Sequence, residues 1–140
     1  MSSLRDFFMK LPERDLLARC IWGEARGEIA AGKLAIAHVV LNRTLKQSWM
    51  GSTIREVILK PYQFSCFNDG DPNAKKLAVI DPSDKAFSEC LLIANLACDG
   101  YTIDPTGGAT HYHAKSCKPA WAPKIQYLCS IGKHKFYREP

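Results

Sequence analysis

Two short stretches carry residue types that could do chemistry. The first is "IWGEARGE", Ile21 to Glu28, with carboxyls at Glu24 and Glu28. Leu17, Cys20, Ile21 and Glu24 have the spacing of one helical face. Glu24 therefore continues an apolar stripe. Burial on such a face strips water from a carboxyl and favours its protonated form. A neutral carboxylic acid can hand its proton to a leaving oxygen and later take one back. The plain structural alternative is an ion pair with an arginine, but Arg26, two residues on, points elsewhere on a helix. Glu28 is four residues on, with Gly27 breaking the helix between. It reads as a cap or structural partner, helping to start the next helix.

The second stretch is "THYH". His111 and His113 would point to the same face of a strand, a spacing that suits two metal ligands with His134 or Glu24 as a third. No HExxH motif and no CxxC pair accompany them. The expectation is no metal and no cofactor. His38 reads as a satisfied core histidine. Cys20, Cys90 and Cys98 fall on apolar helical faces, where a free thiol acts as a small hydrophobe, and reduced thiols are expected. Cys117 reads as the least structural cysteine. Its pairing with His111 or His113 is the remaining nucleophilic option, without a GxSxG elbow. Tyr62, Phe64, Trp121 and Tyr127 stand in loop-like surroundings, where aromatic faces stack on sugar rings or cover the core.

These residues need elements to hold them. The periodicity predicts a helix from Pro12 or Glu13 to Glu24 or Ala25, and a buried helix from Ala30 to Thr44. Thr53 and Glu56 form a capping box for a short helix that Pro61 ends. "YQFSCFNDGDPN" reads as a loop, with "DGDPN" as a turn and not a calcium site. Asp81-Pro82 reads as the start of another helix, which Gly100 closes. After Gly100 the pattern alternates. "DPTGGATHYH" and "GKHKFYR" are two strands able to pair as a hairpin beside the helices. The fold class is α+β, mainly helical with a small antiparallel sheet, in one domain over residues 1–140.

Composition narrows the function. The 140 residues are 46% hydrophobic and 24% charged, with a net charge of +5. No apolar run approaches the ~20 residues of a membrane span. The N-terminal stretch lacks the features of a secretory signal, which predicts synthesis in the cytoplasm. The basic residues are spread out, a mild attraction for polyanions without a nucleic-acid motif. No nucleic-acid partner and no stable membrane insertion are expected.

Taken in order, "ARCIWGEARGE", "GKLAIAHVVLNR", "TIREVILKPYQFSCF", "DPTGGATHYH", "PAWA" and "IGKHKFYR" cover most of the chain from Ala18 to Arg138. Together they resemble the SleB/CwlJ-type, spore cortex-lytic, cell-wall hydrolases. The resemblance implies a fold distantly like lysozymes and lytic transglycosylases, and peptidoglycan as substrate and partner. It places the catalytic glutamate at Glu24 and makes Gln63, Phe64, His111, Tyr112 and Trp121 the substrate-cleft candidates. It also suggests why glycines flank Glu24: they would turn the chain away so that a glycan can approach.

Cleavage of the muramic acid–glucosamine bond is then the leading expectation. Hydrolysis by a muramidase needs a second carboxylate, for which Asp69, Asp71 and Asp104 are available. A lytic transglycosylase needs one acid/base group only, which suits this sequence better. A metal-dependent amidase built on His111 and His113 is the enzymatic alternative, and a wall-binding module the non-enzymatic one. The family commonly carries an export signal and a wall-binding domain, neither of which is seen here. That layout predicts a monomeric, single-domain phage endolysin, made in the cytoplasm and acting in the periplasm or cell wall after release.

Overall fold

The computed structural model describes residues 3–140. Six α-helices precede a small sheet: α1 (Leu4–Met9), α2 (Glu13–Ala25), α3 (Ala30–Lys46), α4 (Ile54–Leu59), α5 (Pro72–Val79) and α6 (Lys85–Cys98). The strands are β1 (His111–Ala114), β2 (Gln126–Ile131) and β3 (His134–Arg138). The α+β expectation holds in this form.

Helix α2 is the centre of the molecule. Leu16, Leu17, Ala18, Cys20 and Ile21 are wholly buried, and the helix packs against α3, α4, α5 and α6. Helix α3 adds Ala35, Ile36, Val39 and Val40 to the same core. It runs two residues beyond the expected Thr44 and closes on Gln47, whose φ of 52° ends the helical path. At the far end of α6, Gly100 has φ +81° and Tyr101 N–H donates to Leu96 O at 2.9 Å, a glycine stop of the expected kind.

Elsewhere the chain departs from expectation. Helix α1 was not anticipated. Ser3 accepts from Asp6 N–H and Asp6 accepts from Ser3 N–H, a short capping box that lets Phe8 pack edge-on against Phe67 at 5.0 Å. At α4, Thr53 caps as expected, but Glu56 reaches Ser52 N–H at 3.0 Å instead of closing the box on Thr53. The stretch read as a continuous loop holds a 3-10 turn at Ser65–Phe67 and the start of α5. The acid-then-proline logic belongs there: Asp71 caps α5 and Pro72 occupies its first turn. Asp81-Pro82 forms only a turn, with Asp81 accepting from Ser83 N–H at 2.8 Å. Helix α6 begins after Asp84, which accepts from Phe87 N–H at 2.9 Å.

The sheet is antiparallel with order β1-β3-β2. The two expected strands do pair, with Tyr112 opposite Phe136 and His113 opposite Lys135. They are not a hairpin. The tight turn at Gly132-Lys133 joins β3 to β2, a strand without a clear signal in the sequence because it is half exposed and carries an irregularity between Tyr127 and Cys129. Tyr112, His134 and Phe136 share the face toward the helices; His111, His113, Lys135 and Tyr137 take the opposite face.

Candidate active site

Glu24 lies in the last turn of α2, partly buried, at the rim of the core. The Tyr112 hydroxyl donates to Glu24 Oε1. The Cys66 thiol lies beside the same helix end, near enough to feel the Glu24 charge. Burial pushes the Tyr112 phenol well above its ordinary range, and the nearby Glu24 charge pushes further the same way. Burial and then Glu24 raise the Cys66 thiol likewise. Both neighbours therefore keep their protons, and Tyr112 offers its own to the carboxyl. The ion pair weighed for Glu24 does not form. Arg26 instead lies over the Trp22 ring at 4.3 Å and donates to Trp22 O at 3.3 Å.

The glycine beside Glu24 has a different use from the expected one. Gly23 is inside the helix, and a Cβ there would stand 3.0 Å from Cys66 Sγ and 3.3 Å from a Leu77 methyl. Its missing side chain admits the 65–67 turn and α5 against the helix, and so brings Cys66 to Glu24.

Glu24 opens onto a cleft of about 460 Å³, lined also by Glu28, Asn73, Ala114, Lys133 and His134. Glu28 is a structural partner, but of the sheet and not of α3, whose N-cap is Ile29 without a side-chain cap. Glu28 Oε1 accepts from Lys133 N–H at 2.9 Å and stands 3.0 Å from His134 Nδ1, out of line for a hydrogen bond. The turn fits closely. Gly132 has φ +55°, and a Cβ there would be 2.8 Å from Glu28 Oε2.

Of the five cleft candidates, Tyr112 alone contacts Glu24. Gln63 and Phe64 are gathered by a residue the sequence reading passed over, Arg43. Only 5% exposed, its guanidinium donates to Thr110 O at 2.7 Å and Gln63 Oε1 at 3.4 Å, and sits 5.2 Å from the Phe64 ring centre. Phe64 is 2% exposed and belongs to the core, so its cleft placement is corrected: the φ 66° turn at Tyr62 exposes that tyrosine and folds Phe64 inward. Arg43 continues the Ile36, Val39, Val40 stripe of α3, the same signal that singled out Glu24. The His111 and Trp121 rings lie 5.3 Å apart and inclined at 59° on the outer face of the sheet, turned away from Tyr112 by strand alternation.

The other candidates are occupied elsewhere. Burial works against Asp104, but hydrogen bonds from Asn42 at 2.8 Å, Thr106 and Gly108 outweigh it and hold the carboxyl below the usual range. Asp71 caps α5, and Asp69 is exposed in a separate hollow beside Arg5 and Tyr62. His113 Nε2 is 2.8 Å from the Tyr137 hydroxyl and Nδ1 is 2.7 Å from Ala114 O. The third ligands imagined for a metal, His134 and Glu24, lie across the strand from His111 and His113. Among the described residues no three His, Cys, Asp or Glu side chains converge as a metal site. Cys117 is exposed on the outer side near His113. His38 is hydrogen-bonded to Thr102 at 2.8 Å, a satisfied histidine as expected.

Known proteins share this arrangement of elements. The catalytic domain of the germination-specific lytic transglycosylase SleB from Bacillus anthracis superposes with a TM-score of 0.69 and 28% identity, covering 90% of this chain and 93% of that one. The catalytic domain of Bacillus cereus SleB gives 0.67 and 29%, covering 90% and 89%. The spore cortex-lytic enzyme of Oceanobacillus iheyensis is 34% identical over 122 residues, 86% of this chain and 40% of that protein. That of Bacillus subtilis is 32% identical over 122 residues, 86% and 36%. The chain thus spans about two-fifths of the length of these curated relatives. Residues 27–137 match the family model described as Cell Wall Hydrolase, and the chain belongs to that family.

Proposed function

We propose that the chain is a peptidoglycan-degrading enzyme that cleaves the glycan strand between N-acetylmuramic acid and N-acetylglucosamine as a lytic transglycosylase, with Glu24 as both acid and base. One observation carries this reading. Glu24 is presented to a cleft with the Tyr112 hydroxyl donating to it, while Glu28, Asp71 and Asp104 are all engaged in holding the fold. The names of its structural relatives, lytic transglycosylase among them, support the same chemistry.

The steps follow from that geometry. Tyr112 donates to Oε1, which leaves Oε2 to carry the transferable proton. That proton passes to the glycosidic oxygen as its bond to the muramoyl anomeric carbon breaks. The carboxylate so formed is stabilised by the Tyr112 hydroxyl. It then takes the proton of the muramoyl 6-hydroxyl, whose oxygen closes on the anomeric carbon. Attack within one bound sugar can lower a barrier by ~7–11 kcal/mol in well-oriented cases, so no second carboxylate is needed to activate water.

Mass spectrometry of digested peptidoglycan in heavy-oxygen water tests the proposal. The expected products carry 1,6-anhydro ends and no label. Labelled reducing muramic acid ends would mean hydrolysis, and free stem peptides with intact glycan would mean an amidase. The endolysin reading adds a delivery route to this activity, supported by the net charge of +5, which favours an anionic wall. Cells producing the chain in their cytoplasm should lyse only once the membrane is opened; lysis without opening would reject that route.

A further inference from the structure

The cleft at Glu24 does not end at the sheet. It meets a smaller hollow through Ala114 and Lys133, and that hollow shares Lys115 with a groove of about 560 Å³. The groove lies on the outer side, where Lys135 and Tyr137 project from β3. Through these shared lining residues the three hollows adjoin one another around the end of β1 and the β2–β3 turn, and Lys133, Lys115, Lys118 and Lys135 line this path.

These cations are uncommitted. The ion pairs among the described residues use Arg14, Arg19, Lys33, Arg55 and His134, and none of the four lysines. The outer groove is lined by three of the lysines and by no carboxylate, while Tyr127 and Tyr137 give it apolar walls. A ligand that fits must supply several negative charges and small apolar groups between them.

We propose that this path binds an acidic peptide, the stem peptide branching from the muramoyl unit held at Glu24. The source of the peptide rests on the glycan-cleavage reading; its recognition rests on the lysines. A stem peptide carries free carboxylates on its glutamyl and diaminopimelic acid residues, with an alanine methyl and methylene chains beside them, which matches cations set along a tyrosine-walled groove. A polyol phosphate meets the cations but leaves the apolar walls uncovered. Enzyme engagement would then depend on whether the strand still carries its peptides.

The direct test is titration of the full chain with the synthetic tripeptide L-alanyl-γ-D-glutamyl-diaminopimelic acid, followed by amide NMR shifts. The shifts are expected at Lys115, Lys118, Tyr127 and Lys135. Binding should weaken about tenfold in K118E/K135E and about tenfold when the peptide carboxylates are amidated, as expected for a few exposed ion pairs acting together. Shifts confined to other regions, no shifts at millimolar peptide, or affinity indifferent to the carboxylates would overturn the proposal. So would binding of a polyol phosphate polymer in place of the tripeptide. A second measurement compares initial rates on peptide-bearing strands and on strands stripped of peptide. The wild type should favour the former about tenfold, a preference K118E/K135E loses; equal rates for the wild type count against the site. Inactivity on both substrates would instead reject the glycan-cleavage reading, and the titration would still decide the groove.

Discussion

The two faces of β1 differ although their residues alternate along four positions. On the inner face Tyr112 meets Glu24, with Phe136 at 5.8 Å and His134 at 5.3 Å between ring centres. On the outer face His111 and His113 join Trp121 and Tyr137 in an aromatic group with no contact to Glu24. A motif that looks like one cluster in the sequence is therefore two surfaces in the fold. The inner one touches Glu24. The outer one shapes the far side of the sheet. Adjacency in a strand separates faces, and a helix end can do the same: Glu24 closes α2 at the cleft, while Glu28, three residues beyond the helix, holds the β2–β3 turn.

The comparison can be broken most sharply at Glu24. Glu24→Gln keeps the shape and removes the transferable proton, so release of soluble fragments from labelled peptidoglycan should fall by ~10²–10⁴ with thermal unfolding nearly unchanged. Retention of more than about a tenth of the activity would remove Glu24 from the acid role. Next comes the strand itself. Tyr112→Phe removes one donor to a charged group and should slow the reaction roughly 10–100-fold, whereas His113→Phe on the outer face should cost less than about threefold at equal substrate. If His113→Phe is the more damaging variant, the division between the faces is wrong.

Glu28 sharpens the contrast through stability. Glu28→Gln turns the charge-assisted bond accepted from Lys133 N–H into a neutral one and removes the charge beside His134, a cost of roughly 1 kcal/mol in urea unfolding. Its activity well below the unfolding midpoint should exceed that of Glu24→Gln by at least tenfold. A variant that is fully stable yet inactive would put the chemistry on Glu28.

A smaller effect concerns pH. Burial, and then Arg43, hold His111 below the ordinary imidazole range; burial also lowers His38, against the pull of Asp104. Their unfolded forms bind protons at higher pH than their folded forms do. This contribution is complete above the ordinary histidine value of ~6.5 and is lost as pH falls through it toward the folded values. The urea midpoint should thus be lower at pH 5.5 than at 7.5, with a gentler slope for His111→Asn. A midpoint that rises on acidification would contradict the assignment. Smallest of all should be chelation. Exhaustive treatment with a chelator is expected to leave activity unchanged, and loss restored only by zinc would favour the amidase alternative.

Much of this site is legible in the sequence because it is written in periodicity. The stripe that ends in Glu24 needs only helical spacing, and "THYH" needs only alternation. Arg43 obeys the same rule as Glu24 and was legible in principle: a charged residue closing an apolar stripe. The contacts of Glu24 are another matter. Cys66 reaches it because Gly23 lets a distant turn approach, and Tyr112 because β1 is laid across the helix end. Neither follows from local pattern. Helix α5 was hidden by its own cap, since "DGDPN" has the composition of a turn and is in fact a turn followed by a helix. Strand β2 was hidden by exposure, which leaves no hydrophobic alternation to read.

The strand order has a consequence for when the site exists. β1 pairs only with β3, and β3 is the final strand in the chain. Glu24 and Tyr112 are 88 positions apart, and the Glu28–Lys133 contact spans 105. Contacts of such separation form late, because the loops they close must be ordered first. A chain emerging from the ribosome can build α2 and present Glu24 long before it can hold Tyr112 upon it. Versions cut before His134 should accordingly keep much of their helical circular dichroism and lack the activity. Glu24 is made early and meets Tyr112 last.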